Sequence, residues 1–322
     1  MIDSFGRDID YMRISITDRC NLRCKYCSPD DFSMLTHNDI LRYEEILRVC
    51  RAAVKTGIRS IKVTGGEPLV RKGCIKFLKN LKSLPGIEHV TITTNGVLLE
   101  GFIDDITDMK LDGVNISLDS LNPDTYKQIT NRNYFYAVWR SLNKAIDAGL
   151  RVKVNCVPMR GQNDTDIIPI ARLAERLPID IRFIELMPTA TGESFNRITG
   201  GEIFERLLKI YPDLTKTQRR GFGPALYYKS SKMFGSIGII EAIGRCFCHS
   251  CNRVRLTSDG FLKQCLFHED GLDMRKMLRN GSSDSEIEAA FKRTVYHKPE
   301  RHMFDSRTST EMGIKNMAQI GG

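Results

Sequence analysis

Through residue 190 the chain alternates short β-rich runs with segments of helical period, and this rhythm restricts the fold more than any other feature. β-branched and apolar residues concentrate at 11–17, 60–64, 89–94, 113–118, 151–158 and 180–186. Apolar residues at helical spacing mark 40–55, 74–84, 134–148 and 167–177 between them. Six β/α repeats with short polar links predict a parallel sheet with helices outside it. Right-handed crossovers would curl that sheet into an incomplete (β/α)6, TIM-like barrel. A flat doubly wound sheet satisfies the same periodicity and stays open as the rival.

The pattern changes after Met187. A polar, glycine-containing stretch (189–201) leads into a helix over 202–210 and a basic, turn-rich segment over 215–223. Short runs follow at 225–229, 236–241, 254–257 and 261–264, with Ser258-Asp259-Gly260 as a hairpin turn. The expected organisation is an α/β partial barrel over 1–190 and a smaller α+β domain over 191–322 packed against it. With 41% hydrophobic and 27% charged residues, the 322-residue chain can bury a sizeable core. The net charge of +9 is scattered along the chain, which argues against a nucleic-acid tail and leaves a small polyanion open as the ligand. The polar opening MIDSFGRDIDYMR is unlike a signal peptide, and no apolar run reaches the roughly 18 residues a membrane span needs. A cytoplasmic protein is therefore expected, and in that compartment closely spaced cysteines read as metal-binding thiolates.

Cys20-x3-Cys24-x2-Cys27 follows the first strand, where a β/α barrel presents its functional loops. Three thiolates suit an iron–sulfur cluster with one iron left open, whereas zinc asks for a fourth ligand or a water. A second set, Cys248-x2-Cys251-x13-Cys265, brackets a predicted hairpin and suits a second cluster. Zinc stays an alternative there, because Cys246, His249 or His268 would complete a tetrahedral shell. Cys50, Cys74 and Cys156 have apolar neighbours and read as buried small hydrophobes. Gly65-Gly66-Glu67-Pro68 ends the second strand, either as an ordinary turn or as a place of close backbone approach with free amides. Thr93-Thr94-Asn95-Gly96 and Ser117-Leu118-Asp119-Ser120 end the third and fourth strands as caps or turns. Arg253 and Arg255, two apart on a strand, share a face and suit phosphate, although a solvated face explains them too. Arg13, Lys153 and Arg182 lie on the first, fifth and sixth strands. Read alone, the closing Gly321-Gly322 is a frayed terminus.

CNLRCKYC followed by GGEP resembles the hallmark of the radical S-adenosylmethionine (SAM) superfamily. CxxCNRxR, then an Asp-Gly turn and Cys-Leu-Phe, is similar to the GTP 3′,8-cyclase family, from FGR near the start to the terminal Gly-Gly. The resemblance implies two [4Fe–4S] clusters, on Cys20, Cys24 and Cys27 and on Cys248, Cys251 and Cys265. It implies SAM contacts by Tyr26, Gly66, Glu67, Ser117 and Met187. GTP as substrate would meet Arg13, Lys62, Thr93, Lys153, Arg253 and Arg255. Arg13, Arg253 and Arg255 are the implied catalytic residues, with Gly321 and Gly322 as a tail threaded into the active site. Basic side chains converging from several strands would then neutralise a triphosphate. In that family a 5′-deoxyadenosyl radical takes hydrogen from the ribose 3′ carbon, which then adds to guanine carbon 8 in the first step of molybdenum-cofactor (molybdopterin) biosynthesis. An electron donor, a downstream pterin-forming enzyme, and a monomer or homodimer away from nucleic acid and membrane are implied with it. One departure is Lys62, where the family usually carries Arg; Lys keeps the charge and loses the fork. The rival readings are a radical SAM enzyme acting on a peptide and a zinc- or cluster-containing regulator of nucleic acid.

Overall fold

The computed structural model describes residues 1–27, 34–188, 194–218, 221–241, 243, 247–302 and 320–321. The strands among them are β1 (Tyr11–Ser15), β2 (Ser60–Thr64), β3 (His89–Thr94), β4 (Gly113–Ser117), β5 (Val152–Cys156), β6 (Asp180–Ile184), β7 (Thr215–Lys216), β8 (Leu226–Lys229), β9 (Ser236–Ile240), β10 (Arg253–Leu256), β11 (Phe261–Lys263) and β12 (Gly271–Asp273). The helices are α1 (Tyr43–Lys55), α2 (Cys74–Lys82), α3 (Ile103–Asp108), α4 (Pro123–Thr130), α5 (Phe135–Asp147), α6 (Ile167–Ala171), α7 (Leu173–Arg176), α8 (Gly200–Leu208), α9 (Met274–Arg279) and α10 (Asp284–Tyr296). Two compact units emerge. The first comprises Met1–Asn21, Cys27–Ile92 and Cys248–Gly322, and the second Leu22–Tyr26 and Thr93–Phe247.

In the first unit the strand order is β12-β11-β10-β1-β2-β3. β10, β1, β2 and β3 run parallel, while β10, β11 and β12 form an antiparallel meander. Parallel strands covered on both faces should read as nearly continuous apolar runs. β1 (YMRIS) and β2 (SIKVT) do so with one interruption each, since their half-exposed middle positions are Arg13 and Lys62. α1 buries Ile46, Leu47, Val49, Cys50 and Ala53, and α10 buries Ile287, Phe291 and Val295. The exposed Arg48–Asp284 ion pair (2.6 Å) joins the two helices and contributes little beside that burial.

The second unit has the order β4-β5-β6-β9-β8-β7, with β4, β5, β6 and β9 parallel and β9, β8 and β7 antiparallel. α4 starts on Asn122, whose side chain caps the amides of Asp124 and Thr125, and on Pro123, whose missing N–H costs nothing at a first turn. Its end receives part of the cysteine loop: the amides of Arg23 and Lys25 donate to the carbonyls of Thr130 and Ile129, each at 3.0 Å.

The fold class is α/β with open, mixed sheets, and β2 and β3 have the bounds expected from the sequence. The helix expected over 167–177 runs as two, α6 and α7. The strands beyond residue 191 join the earlier ones directly, β10 beside β1 and β9 beside β6. Among the described residues no helix is long and apolar enough to cross a membrane.

Candidate active site

Register builds the polar face of the first unit. Arg13 of β1 stands opposite Arg255 of β10 on one side and Lys62 of β2 on the other, and Arg255 stands opposite Lys263 of β11. Residues paired across neighbouring strands share a face, so four cations form one row across four strands. Arg253, opposite Tyr11, lies one step along the same face. Lys263 was not singled out from the sequence. Its signal is the antiparallel pairing with Arg255, which requires the turn at 258–260 to set the register.

Burial sharpens that charge. Arg255 is 7% exposed, and its guanidinium is pushed far below its ordinary pKa by burial first, then by the nearby Arg13 and Arg253. Arg255 Nη1 donates to the carbonyl of Gly321 at 3.2 Å. Gly321 takes φ +80°, and a Cβ there would lie 2.5 Å from Thr64 Oγ1 and 2.9 Å from Ser15 Cβ. Only glycine fits that spot and that backbone conformation. The end of the chain is therefore packed on the cationic face, with Ile320 1% exposed, and is not frayed at the described residues. Gly322 lies outside the described residues.

Both cysteine sets consist of half-buried cysteines that form no disulfide. Cys20 is led in by Thr17–Arg19, which the GGEP run grips: Gly66 N donates to Thr17 O at 2.7 Å and Glu67 N to Arg19 O at 2.8 Å. A Cβ on Gly66 would fall 2.5 Å from Arg19 O. This corrects one expectation. The Gly66 amide is not free for a ligand, because it is used to hold the backbone entering the cysteine loop. Glu67 is fully buried and its carboxylate accepts from Leu69 N at 3.0 Å, capping the turn at Pro68–Val70. In the later set, burial raises the Cys251 thiol, but Arg253 and Lys298 outweigh it and bring it to about 7. That favours the thiolate a metal centre needs. Among the described residues no three His, Cys, Asp or Glu side chains converge as a single metal ion would require. A cubane instead takes each thiolate on a different iron. His268 Nε2 is 3.1 Å from the carbonyl of Arg301, and Cys246 lies outside the described residues. Cys50 and Cys74 are buried with thiols pushed up to about 12 by burial, as inert core residues should be.

The second unit holds Tyr26, Thr93, Ser117, Lys153 and Met187. Tyr26 donates its hydroxyl to Asp119 Oδ2 at 2.8 Å and packs against Ile129, Met159 and Leu186. Asp119 also accepts from Val157 N at 2.8 Å. Burial lifts the Asp119 carboxyl to about 6, against the pull of these two hydrogen bonds. Ser117 ends β4 opposite Asn155, Thr93 lies on the half-exposed side of β3, and Met187 is half-buried beyond β6. Lys153 is committed to neighbours: its Nζ is 3.1 Å from Asp180 Oδ2 and donates to the Tyr227 hydroxyl at 2.9 Å. Arg182 donates to Asn115 Oδ1, while its buried Nε and the buried Oδ1 of Asn155 find no partner among the described residues.

The model for the radical SAM superfamily matches residues 14–174, and that for Molybdenum Cofactor Synthesis C matches residues 179–304. A GTP 3′,8-cyclase of Clostridium perfringens (strain SM101 / Type A) is 42% identical over 325 residues, covering all of both chains. A GTP 3′,8-cyclase of Moorella thermoacetica is 42% identical over 326 residues, again with full coverage of both. Among solved structures, Streptococcus suis SuiB bound to S-adenosylmethionine superposes with a TM-score of 0.64 at 14% identity, covering 85% of this chain and 65% of that one, a little under two thirds. That likeness concerns the fold alone, and it agrees with the incomplete barrel expected from six β/α repeats. The chain belongs to the radical SAM superfamily and, within it, to the GTP 3′,8-cyclase family.

Proposed function

We propose that this chain cyclises GTP to (8S)-3′,8-cyclo-7,8-dihydroguanosine 5′-triphosphate, the opening step of molybdenum-cofactor biosynthesis. The observation that carries the reading is the row Lys62–Arg13–Arg255, with Arg253 beside it, on one face of a parallel sheet. Guanidiniums that repel one another in a buried place are stabilised by a polyanion, and the Arg forks match phosphate oxygens two at a time. Arg13, Arg253, Arg255 and Lys62 hold the triphosphate, and Thr93 and Lys153 meet the rest of the nucleotide. Residues 1–190 carry the SAM chemistry, and residues 191–322 carry the second cluster and the glycine tail.

Cys20, Cys24 and Cys27 fit a [4Fe–4S] cluster, being three cysteines outside any disulfide on one short loop whose entry is clamped by the GGEP run. With SAM bound beside it, that cluster would supply the electron that starts radical chemistry at the ribose 3′ carbon. Tyr26, Gly66, Glu67, Ser117 and Met187 orient SAM. Cys248, Cys251 and Cys265 hold a second [4Fe–4S] cluster, and the lowered Cys251 thiol supports a metal there. Gly321 and Gly322 form the tail that enters the active site, and at Gly321 a side chain would collide with Thr64 and Ser15. An electron donor for cluster reduction and a pterin-forming enzyme that consumes the product are the partners, in the cytoplasm. The test is anaerobic turnover with GTP deuterated at the ribose 3′ carbon. Deuterium in the 5′-deoxyadenosine is expected, and deuterium confined to the nucleotide while 5′-deoxyadenosine accumulates would overturn the reading.

A further inference from the structure

The later cysteine set is anchored from behind by two buried cations that its chemistry does not use. Arg7 belongs to the FGR run near the start of the chain and is 7% exposed. All five donors of its guanidinium are engaged. Nε donates to Asp3 Oδ2 at 2.7 Å, Nη1 to the carbonyls of Cys248 (2.9 Å) and Glu300 (2.8 Å), and Nη2 to those of Lys298 (3.1 Å) and Pro299 (2.8 Å). Lys298 in turn is 2% exposed and donates through Nζ to the carbonyl of Gln264 at 2.5 Å, one residue before Cys265. Gln264 is itself fixed, its Nε2 donating to Thr294 O at 2.5 Å. Next to Cys251, Asn252 donates its side-chain amide to Asp10 Oδ1 at 2.6 Å and accepts from Tyr11 N at 3.2 Å.

Each of the three cysteines thus has a backbone anchor on itself or on an adjacent residue. Two of the three anchors are buried cations, and the third comes from the same N-terminal stretch as Arg7. Burying a guanidinium or an ammonium is costly unless it is paired. Arg7 is paired with Asp3. Lys298 has no carboxylate partner among the described residues, and a cluster on three thiolates would supply the missing negative charge.

We infer that Arg7 and Lys298 are positioning residues of the second cluster, Arg7 holding the backbone of Cys248 and Lys298 that of Cys265, with Lys298 also balancing the cluster's charge. This rests on the reading that the later set holds a cluster. It gives the N-terminal FGR run, remote in sequence from every cysteine of that set, a place in the chemistry of the carboxyl-terminal half.

The experiment is anaerobic reconstitution of the full chain as wild type, Arg7→Lys and Lys298→Met. Iron and sulfide are counted, electron paramagnetic resonance spectra recorded, and SAM cleavage measured without GTP. Wild type should hold about eight irons. Arg7→Lys keeps a charge but cannot span four carbonyls, and should fall to about four irons while still cleaving SAM at the first cluster. Lys298→Met should lose part of the second cluster, and what remains should have a lower midpoint potential, since removing a nearby cation disfavours the added electron; the first cluster's potential should not move. Variants that keep about eight irons with unchanged spectra and potentials would overturn the inference. So would equal loss of both clusters, which would make the brace a support of the fold. A wild type holding about four irons, or zinc at the later set, would instead sink the reading beneath it.

Discussion

Both units line a parallel sheet with basic side chains, and they arrange the charge differently. In the second, Lys153 faces Asp180 and the Tyr227 hydroxyl, Asp180 also accepts from Ser236, and Arg182 donates to Asn115. In the first, Arg13, Lys62, Arg255 and Lys263 stand in one row, and the charge of Arg255 is disfavoured by burial first and then by the guanidiniums beside it. Charge that is compensated locally fixes geometry. Like charges gathered on one face attract a polyanion. The contrast supports the proposal that the triphosphate sits on the row of the first unit, with Lys153, held by Asp180 and Tyr227, meeting the rest of the nucleotide.

The sharpest way to break that contrast is Arg253→Ala with Arg255→Ala. Hydrogen bonds to charged groups contribute about 1.5–3 kcal/mol each, so kcat/KM for GTP should fall about a thousandfold with SAM affinity unchanged. Steady-state kinetics and SAM titration check it. Next in size is Gly321→Ala, which places a methyl 2.5 Å from Thr64 Oγ1 at a positive φ. Displacing the tail should lower turnover about a hundredfold at constant iron content, and deleting Gly321 and Gly322 should abolish turnover with both clusters retained. Lys153→Met should cost about tenfold in KM for GTP, and also about 2–3 kcal/mol of stability because the nearly buried Asp180 loses its cation. Arg13→Met should lower kcat/KM for GTP, measured by steady-state kinetics, with SAM affinity unchanged.

The smallest effect concerns Asp119. Its carboxyl titrates near 6 in the folded protein against 3.8 as the ordinary value, so the folded state binds that proton more tightly. Its contribution to stability is therefore fullest below about pH 4 and declines as pH rises through about 6. Denaturant unfolding at about pH 5 and about pH 7.5 should show the penalty of Asp119→Asn shrinking at the higher pH. Tyr26→Phe, which removes the hydroxyl bonded to Asp119, should weaken SAM binding several-fold and leave GTP binding alone.

Much of this was legible in the sequence where the signal is local. Strand composition gave the bounds of β2 and β3, and cysteine spacing together with the paired arginines marked the chemistry. Register was not legible. Arg13 meets Arg255 across some 240 positions of chain, and Lys263 joins the row only through the β10–β11 hairpin. α4 and α10 went unread although their starts carry cap signals, Asn122 with Pro123 and Ser283 with Glu286, because their apolar stripes are narrow. The Gly66 amide was misjudged because a glycine that admits a ligand and one that admits another stretch of backbone look the same in one dimension.

Equilibrium binding of GTP and of guanosine to the cluster-loaded protein, in wild type and in the Arg253→Ala, Arg255→Ala variant, tests the contrast between the two units most directly. Wild type should prefer GTP by at least about a hundredfold, with an affinity that falls as salt rises, and the variant should lose that preference. Equal affinity for the two ligands in wild type, or a preference that survives in the variant, would contradict the assignment of the triphosphate to the cationic row.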